Sequence, residues 1–380
     1  MNRPRQILLI LLDGLRADAL DTHPVFDELA HRGLFCGNLV TYAPYTTASM
    51  HALLTGIYGP RNGVDSYFAA AKFRGDACRT LAQHFQSAGY DTAVDINNRN
   101  TIPCQGYDRV LEYDEFHPDQ RYQLCQRHRN LLSEARRRGK PFFLSLHNLK
   151  THTELIQKFR DCYPGEREAL YYADPTRNAR EYRGYAREMG AYVAALLDDL
   201  EQARFFRDGL LVVFSDHGCS CGERPGERMY GTYLDDATIR TFAYFIGAGF
   251  RPNDRRPGLL RTVDIAPTLL EACGLPPAPD ALEPDGRSFL RADPAERWGF
   301  VETAPLGGAQ PSPYAPNYHG VVSERFKLLY HSTADRLEFF ARADQGWQPR
   351  PADSPQAEEW LLRLCSCSPR VNRRWLLKQS

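Results

Sequence analysis

Six consecutive apolar residues, Ile7 to Leu12, run straight into Asp13 and Gly14. A second unbroken run, Leu210 to Phe214, ends in Ser215-Asp216-His217-Gly218. Alternation of apolar and polar positions marks a strand with one wet face; its absence over so short a run marks a strand covered on both faces, as in a parallel sheet. Thr92–Ile96, Pro141–His147 and Thr241–Ile246 read as further strands, and Leu34–Cys36 as a short one. Helical spacing lies between them. Pro24 to Gly33 predicts a helix closed by glycine, and Arg79 to Gly89 another. The segment from Tyr45 to Gly56 predicts a helix that opens on Thr46 and Thr47, and a long helix is expected over Asn178–Ala203. Asp264 to Gly274 predicts a helix with an Asp cap at its start.

Strands alternating with helices predict an α/β architecture with a doubly wound, mostly parallel central sheet flanked by helices. A proline-rich break follows at Pro276–Pro284. Beyond it, His319–Tyr330 and Arg336–Phe340 read as a hairpin and Gln356–Leu364 as a helix. The expected division is therefore a catalytic α/β domain over 1–284 and a small α+β subdomain over 285–380.

The chain has 380 residues, with 47 Lys+Arg balanced by 47 Asp+Glu. That neutrality favours neither nucleic acid nor an anionic membrane as partner. No stretch approaches the roughly 20 apolar residues of a membrane span, and the run at 7–12 lacks a leader's cleavage signal. A cytoplasmic protein is expected, its ten cysteines reduced. Cys219-Ser220-Cys221 follows the Asp216-His217 pair; free loop thiols are the plainer reading, since no zinc-ribbon spacing accompanies it.

Parallel sheets collect ligands at the carboxyl ends of their strands. Two buried strands ending in Asp13 and in Asp216-His217 therefore predict a single metal site, with the hydroxyls of Thr46, Thr47 and Ser49 beside it.

In their order along the chain, these motifs resemble the sulfatase branch of the alkaline phosphatase superfamily. Leu11–Asp18 is similar to its first metal-binding strand, Ala52–Gly56 to the end of its nucleophile helix, and Phe214–Gly218 with Gly222-Glu223 to its second metal motif. Asp264–Leu270 and Ser323–Lys327 resemble two later signatures. The resemblance places the nucleophile at Thr46, where sulfatases carry Cys or Ser oxidised to formylglycine. Ala48 and Met50 then occupy the family's Pro/Ala and Arg positions. Threonine is not a formylglycine precursor. It is what the phospho-branches of the superfamily carry, where it forms a covalent phospho-enzyme. Gly14 stands where many sulfatases have a second Asp.

The expected enzyme is thus a metal-dependent phosphodiester or phosphonate ester hydrolase or transferase, acting on a small anionic ester. Thr46 would be the nucleophile, activated by a divalent ion and a helix N-terminus. Asp13, Asp216 and His217 would join Thr46 as ligands of one Mn²⁺, Zn²⁺ or Mg²⁺ ion. One ion is expected rather than two, because Asn148 stands where two-zinc relatives have Asp; His319 would be the distal ligand of a second ion, or a substrate contact. His152 resembles the family's substrate-contacting His and is expected to protonate the leaving oxygen or to hold a non-bridging one. His147, Lys150 and Asn62 are candidate substrate contacts, against plainer roles as a strand-end histidine, a surface lysine and a loop residue. Arg224, Arg228 and Tyr230 are candidates to line the pocket in place of a family lysine. Two rivals stay open: a sulfuric ester hydrolase using unmodified Thr, and a non-catalytic protein that keeps the fold and the metal. The residues leave the oligomeric state and the substrate open.

Overall fold

The computed structural model describes residues 3–119, 123–162, 168–227, 229–290, 296–304 and 315–371. Its centre is a nine-stranded sheet in the order β4 (Arg109–Glu112), β3 (Asp91–Ile96), β5 (Phe142–Asn148), β1 (Gln6–Leu12), β6 (Gly209–Phe214), β7 (Arg240–Gly247), β2 (Leu34–Val40) and β8 (Asp254–Arg255); β9 (Leu260–Arg261) also pairs with β2. Only β7 runs against the rest, antiparallel to both β6 and β2.

The unbroken apolar runs find their explanation here. Leu8, Ile10 and Leu12 of β1 belong to one hydrophobic cluster, and Ile7, Leu9 and Leu11 to another on the opposite face. β6 divides the same way, with Leu211 and Val213 on one side and Leu210, Val212 and Phe214 on the other. Successive side chains point to opposite faces, so a strand with helices on both sides has no polar position to offer. The first face is covered by α1 (Val25–Arg32) through Phe26 and Leu29, by α4 (Leu124–Arg137) through Leu132, by α5 (Lys150–Cys162) through Leu155 and by α6 (Pro175–Gln202) through Met189, Val193 and Leu196. The second is covered by α2 (Thr46–Thr55) through Met50, Leu53 and Leu54, by α3 (Leu81–Ser87) through Leu81 and Phe85, and by α7 (Ile265–Ala272) through Leu269 and Leu270. Met50, at the family's Arg position, is core.

A separate antiparallel meander follows: β10 (Gly299–Thr303), β11 (Tyr318–Val322), β12 (Phe326–His331), β13 (Arg336–Ala343) and β14 (Gly346–Arg350). Its middle three strands are the expected hairpin and its continuation. α8 (Pro355–Cys367), capped by the Ser354 hydroxyl on Ala357 N, buries Trp360 against it.

Two end-of-helix expectations are corrected. Asp264 does not cap α7. Its backbone is already helical, and its carboxylate is held by Arg261 at 2.6 Å and Arg297 at 3.0 Å. Two guanidiniums compete better for a buried carboxylate than helix N–H groups do. Gly33 ends α1 with extended backbone, not a left-handed cap. Space is what demands glycine there, since a Cβ would meet the Phe245 carbonyl oxygen at 2.1 Å.

Candidate active site and metal centre

β5, β1 and β6 are adjacent and parallel, with Leu12 in register with Asn148 and Leu11 with Phe214. Their carboxyl ends therefore deliver His147, Asp13 and Asp216-His217 to one place. α2 approaches the same place with its first residue, Thr46.

Thr46 Oγ1 donates to Asp13 Oδ2 at 2.9 Å and lies 3.3 Å from His217 Nε2. His147 Nε2 donates to the same Asp13 oxygen at 2.9 Å. Asp216 Oδ1 accepts from Gly14 N at 3.3 Å. The remaining oxygens, Asp13 Oδ1 and Asp216 Oδ2, are buried and accept no hydrogen bond. They lie 3.6 and 3.5 Å from His217 Nε2. His217 Nδ1–H donates to the Gly218 carbonyl at 2.8 Å, which leaves the Nε2 lone pair facing both carboxylates.

Asp13, Asp216 and His217 each offer a ligand atom within 4.8 Å of the others. Two buried carboxylates with orphaned oxygens and an imidazole with its lone pair turned inward fit a divalent cation, and the Thr46 hydroxyl is a fourth donor beside them. No thiol belongs to this group among the described residues. The electrostatics agree. Burial opposes ionisation of Asp13, but the hydrogen bond from His147 and the nearby imidazoles of His152 and His217 hold its pKa well below the carboxylate range. Burial and the Asp13 charge push Asp216 the other way, upward. Like charges this close need a cation between them.

Gly14 has a reason of its own. Its φ is +68°, a left-handed conformation, and a Cβ there would sit 2.8 Å from Cys219 Sγ. Its backbone N–H orients Asp216. Ser49, one of the three candidate hydroxyls, braces the same residue by donating to the Asp216 carbonyl at 2.9 Å. Among Thr46, Thr47 and Ser49, only Thr46 touches the Asp13 carboxylate.

His152 sits in a second layer. Its Nε2 is 2.7 Å from the Tyr230 hydroxyl and its Nδ1 is 3.2 Å from Glu115 Oε2. The Tyr230 ring lies against both imidazoles, at 5.7 Å from His152 and 4.7 Å from His217. Burial would lower the His152 pKa, but Asp13, Glu115 and Asp216 outweigh it and raise it. Glu115 also accepts from Asn97 at 2.8 Å and Thr153 at 2.8 Å, and so is fixed in place. Sequence reasoning missed Glu115. It lies in a loop without period or motif, and its only signal is an acidic residue after a strand.

The other candidates scatter. Lys150 is committed to Glu154 at 2.9 Å and Glu188 at 2.7 Å. Asn148 turns the chain into α5 by accepting from Lys150 N at 3.0 Å. Both amide groups of Asn62 are spent on the loop after α2, on the Ile57 carbonyl and Val64 N. His319 is fully buried: Nδ1 pairs with Glu302 at 2.6 Å, whose other oxygen takes the Tyr42 hydroxyl at 2.7 Å, and Nε2 has no hydrogen-bond partner. Arg224 pairs with Asp235 at 2.8 Å, and Arg228 lies outside the described residues. Of the substrate candidates, only His147 reaches the Asp13 cluster in the contacts described above.

Comparisons with known proteins agree with the fold. The Sulfatase family model matches residues 5–275. The chain is 26% identical over 276 residues to the low-salt glycan biosynthesis sulfotransferase Agl7 of Haloferax volcanii, covering 70% of this chain and 60% of that one, so it spans under two thirds of that relative's length. A putative sulfatase structure from Bacteroides thetaiotaomicron superposes with a TM-score of 0.77 at 17% identity, covering 96% of this chain and 91% of the other. The phosphonate monoester hydrolase of Agrobacterium radiobacter gives 0.75 at 15% identity, covering 96% of both chains. Matched over most of its length and carrying a site that fits the metal on which such enzymes depend, this chain belongs to the sulfatase family.

Proposed function

We propose that the chain transfers phosphoryl groups from phosphodiesters or phosphonate monoesters through a covalent phosphothreonine at Thr46. The observation that carries the reading is the Thr46 hydroxyl itself: first residue of α2, 2.9 Å from Asp13 and 3.3 Å from His217. A helix N-terminus favours negative charge on that oxygen. A single divalent ion held by Asp13, Asp216, His217 and Thr46 would lower the hydroxyl's pKa and neutralise charge on the phosphoryl oxygens.

Thr46 Oγ1, its proton released to water, attacks phosphorus as the alkoxide. The bond from phosphorus to the leaving oxygen breaks, and His152, protonated and aligned by Glu115, supplies a proton to that oxygen through or beside the Tyr230 hydroxyl. Water, or an acceptor alcohol, then attacks the phosphothreonine. His152, now neutral, takes the incoming proton, and the P–Oγ1 bond breaks to return Thr46 Oγ1 as the alkoxide that began the cycle. The substrate is a small anionic ester. The nine described cysteines are all free thiols, which suits a reducing compartment, so a cytoplasmic location belongs to the same reading. Among the described residues no helix is long and apolar enough to cross a membrane.

A sulfuryl-transfer reading is favoured by one observation, the sulfotransferase name of the Haloferax relative. Turnover of bis-(p-nitrophenyl) phosphate, a phenyl phosphonate ester and p-nitrophenyl sulfate, compared in wild type and Thr46→Ala, separates the two. Diester or phosphonate turnover lost in the variant supports phosphoryl transfer; turnover of the sulfate alone overturns it.

A further inference from the structure

A cavity of about 510 Å³ lies away from the candidate active site. It opens beside the carboxyl end of α2, where Asp285 N donates to the Gly56 carbonyl at 2.8 Å. Thr46 is at the other end of that helix, roughly 15 Å away for ten residues at 1.5 Å each. The volume falls within the usual range for small-molecule sites, roughly 300–1,000 Å³.

Four arginines line it: Arg61, Arg261, Arg287 and Arg297. Arg61 is paired with Asp285 at 2.5 Å. Arg261 and Arg297 both lean on one carboxylate, the buried Asp264, at 2.6 and 3.0 Å. Glu296, also on the wall, is held from outside by Arg325 at 2.8 Å. Arg287 contributes its backbone N–H to Asp264, but its guanidinium has no ion pair or hydrogen bond among the described residues. The cavity thus presents one unused guanidinium fork, that of the exposed Arg287, in a concave space. Beside it stands Trp298, half-buried against the core, whose ring makes no stacking or cation–π contact among the described residues. A guanidinium without an anion and an indole without a stacking partner, facing one space, call for a ligand with both features.

We infer that this cavity is a second binding site, distinct from the metal centre, for a small ligand that joins a phosphate or sulfate ester to a planar ring, the chemistry of a nucleoside monophosphate. The anion sits on Arg287, and the ring lies on Trp298. The inference does not depend on the reaction catalysed at Thr46.

The test uses the full chain as Thr46→Ala, stripped of metal, so that turnover and metal-bridged binding are both removed. Adenosine 5′-monophosphate, adenosine and inorganic phosphate are titrated by calorimetry and by tryptophan fluorescence. The nucleotide is expected to bind saturably at one site and to quench fluorescence. Adenosine or phosphate alone should bind at least roughly tenfold more weakly, since a charge-assisted contact contributes about 1.5–3 kcal/mol. Arg287→Gln, whose side chain has no partner to lose, should weaken the nucleotide at least roughly tenfold while the unfolding temperature stays put. Trp298→Phe should remove the quench. Equal binding of phosphate and nucleotide would overturn the ring contact. Absence of binding, or binding unchanged in Arg287→Gln, would overturn the site.

Discussion

Asp216→Asn should produce two opposite effects on stability. The side chain is fully buried, one oxygen is held by Gly14 N, and the other has no hydrogen-bond partner. Without metal, Asp216 faces the Asp13 carboxylate and destabilises the fold. An uncompensated buried polar group costs about 1–3 kcal/mol, and Asn keeps the Gly14 contact while removing the charge. The metal-free variant should therefore be more stable than metal-free wild type by about that amount. With metal, the order reverses. A cation bound at a hundred times its Kd stabilises the fold by about 2.7 kcal/mol, worth about 3 °C in a chain of this size. The variant should forfeit that gain. The assay is thermal unfolding of chelator-treated protein, with Mn²⁺, Mg²⁺ or Zn²⁺ then added, and calorimetry for stoichiometry. Mn²⁺ is the cleanest probe because free thiols compete for Zn²⁺. One ion per chain is expected. An equal metal response in wild type and variant, or a metal-free variant less stable than wild type, would refute the reasoning from two confronted carboxylates.

Thr46→Ser should keep measurable activity and Thr46→Ala should lose it, checked by the same ester panel; equal rates for Ala and wild type would remove Thr46 from the chemistry. Glu115→Gln should lower turnover by about tenfold to a hundredfold and move the His152 limb of the pH–rate profile to lower pH, because the carboxylate that raises the His152 pKa is gone; an unshifted profile would leave Glu115 a structural role only. His51 gives a stability prediction. Burial lowers its pKa to about 4, partly countered by its hydrogen bond to the Thr47 carbonyl. A depressed folded pKa means stability is complete above the ordinary value near 6.5 and is lost as pH falls through about 4, by about 3 kcal/mol in all. Denaturant titrations of His51→Leu across that range should show a flatter acid limb than wild type. Gly14→Ala should destabilise by about 1–3 kcal/mol from the left-handed backbone and the clash at Cys219, read by chemical unfolding, and should weaken Mn²⁺ binding because the N–H on Asp216 shifts.

What the sequence revealed follows from the range of the forces involved. Two-sided burial writes itself into consecutive residues, so β1 and β6 were legible and their last residues pointed to Asp13, Asp216 and His217. The edge strand β4 was not, because Arg-Val-Leu-Glu at the sheet margin carries no apolar run. Nor was the reversed direction of β7, since strand polarity leaves no mark on composition. Asp264 read as a cap because local rules see its neighbours and not Arg297, 33 residues on. Long-range pairing also decided the site's margins. Glu115 meets His152 across 37 positions, and Glu302 holds His319 in a buried network that no spacing announces. Cysteines 219 and 221, conspicuous in sequence, are buried thiols packed beside Gly14 and Arg16.

The central claim is that Thr46 carries the transferred group. It is tested most directly by mixing the metal-loaded enzyme with a phosphodiester or phosphonate ester, quenching in acid, and measuring intact and peptide mass. The account predicts one added phosphoryl or phosphonyl group, located on Thr46 and absent from Thr46→Ala. The same turnover with no covalent adduct, or an adduct on another residue, would contradict it.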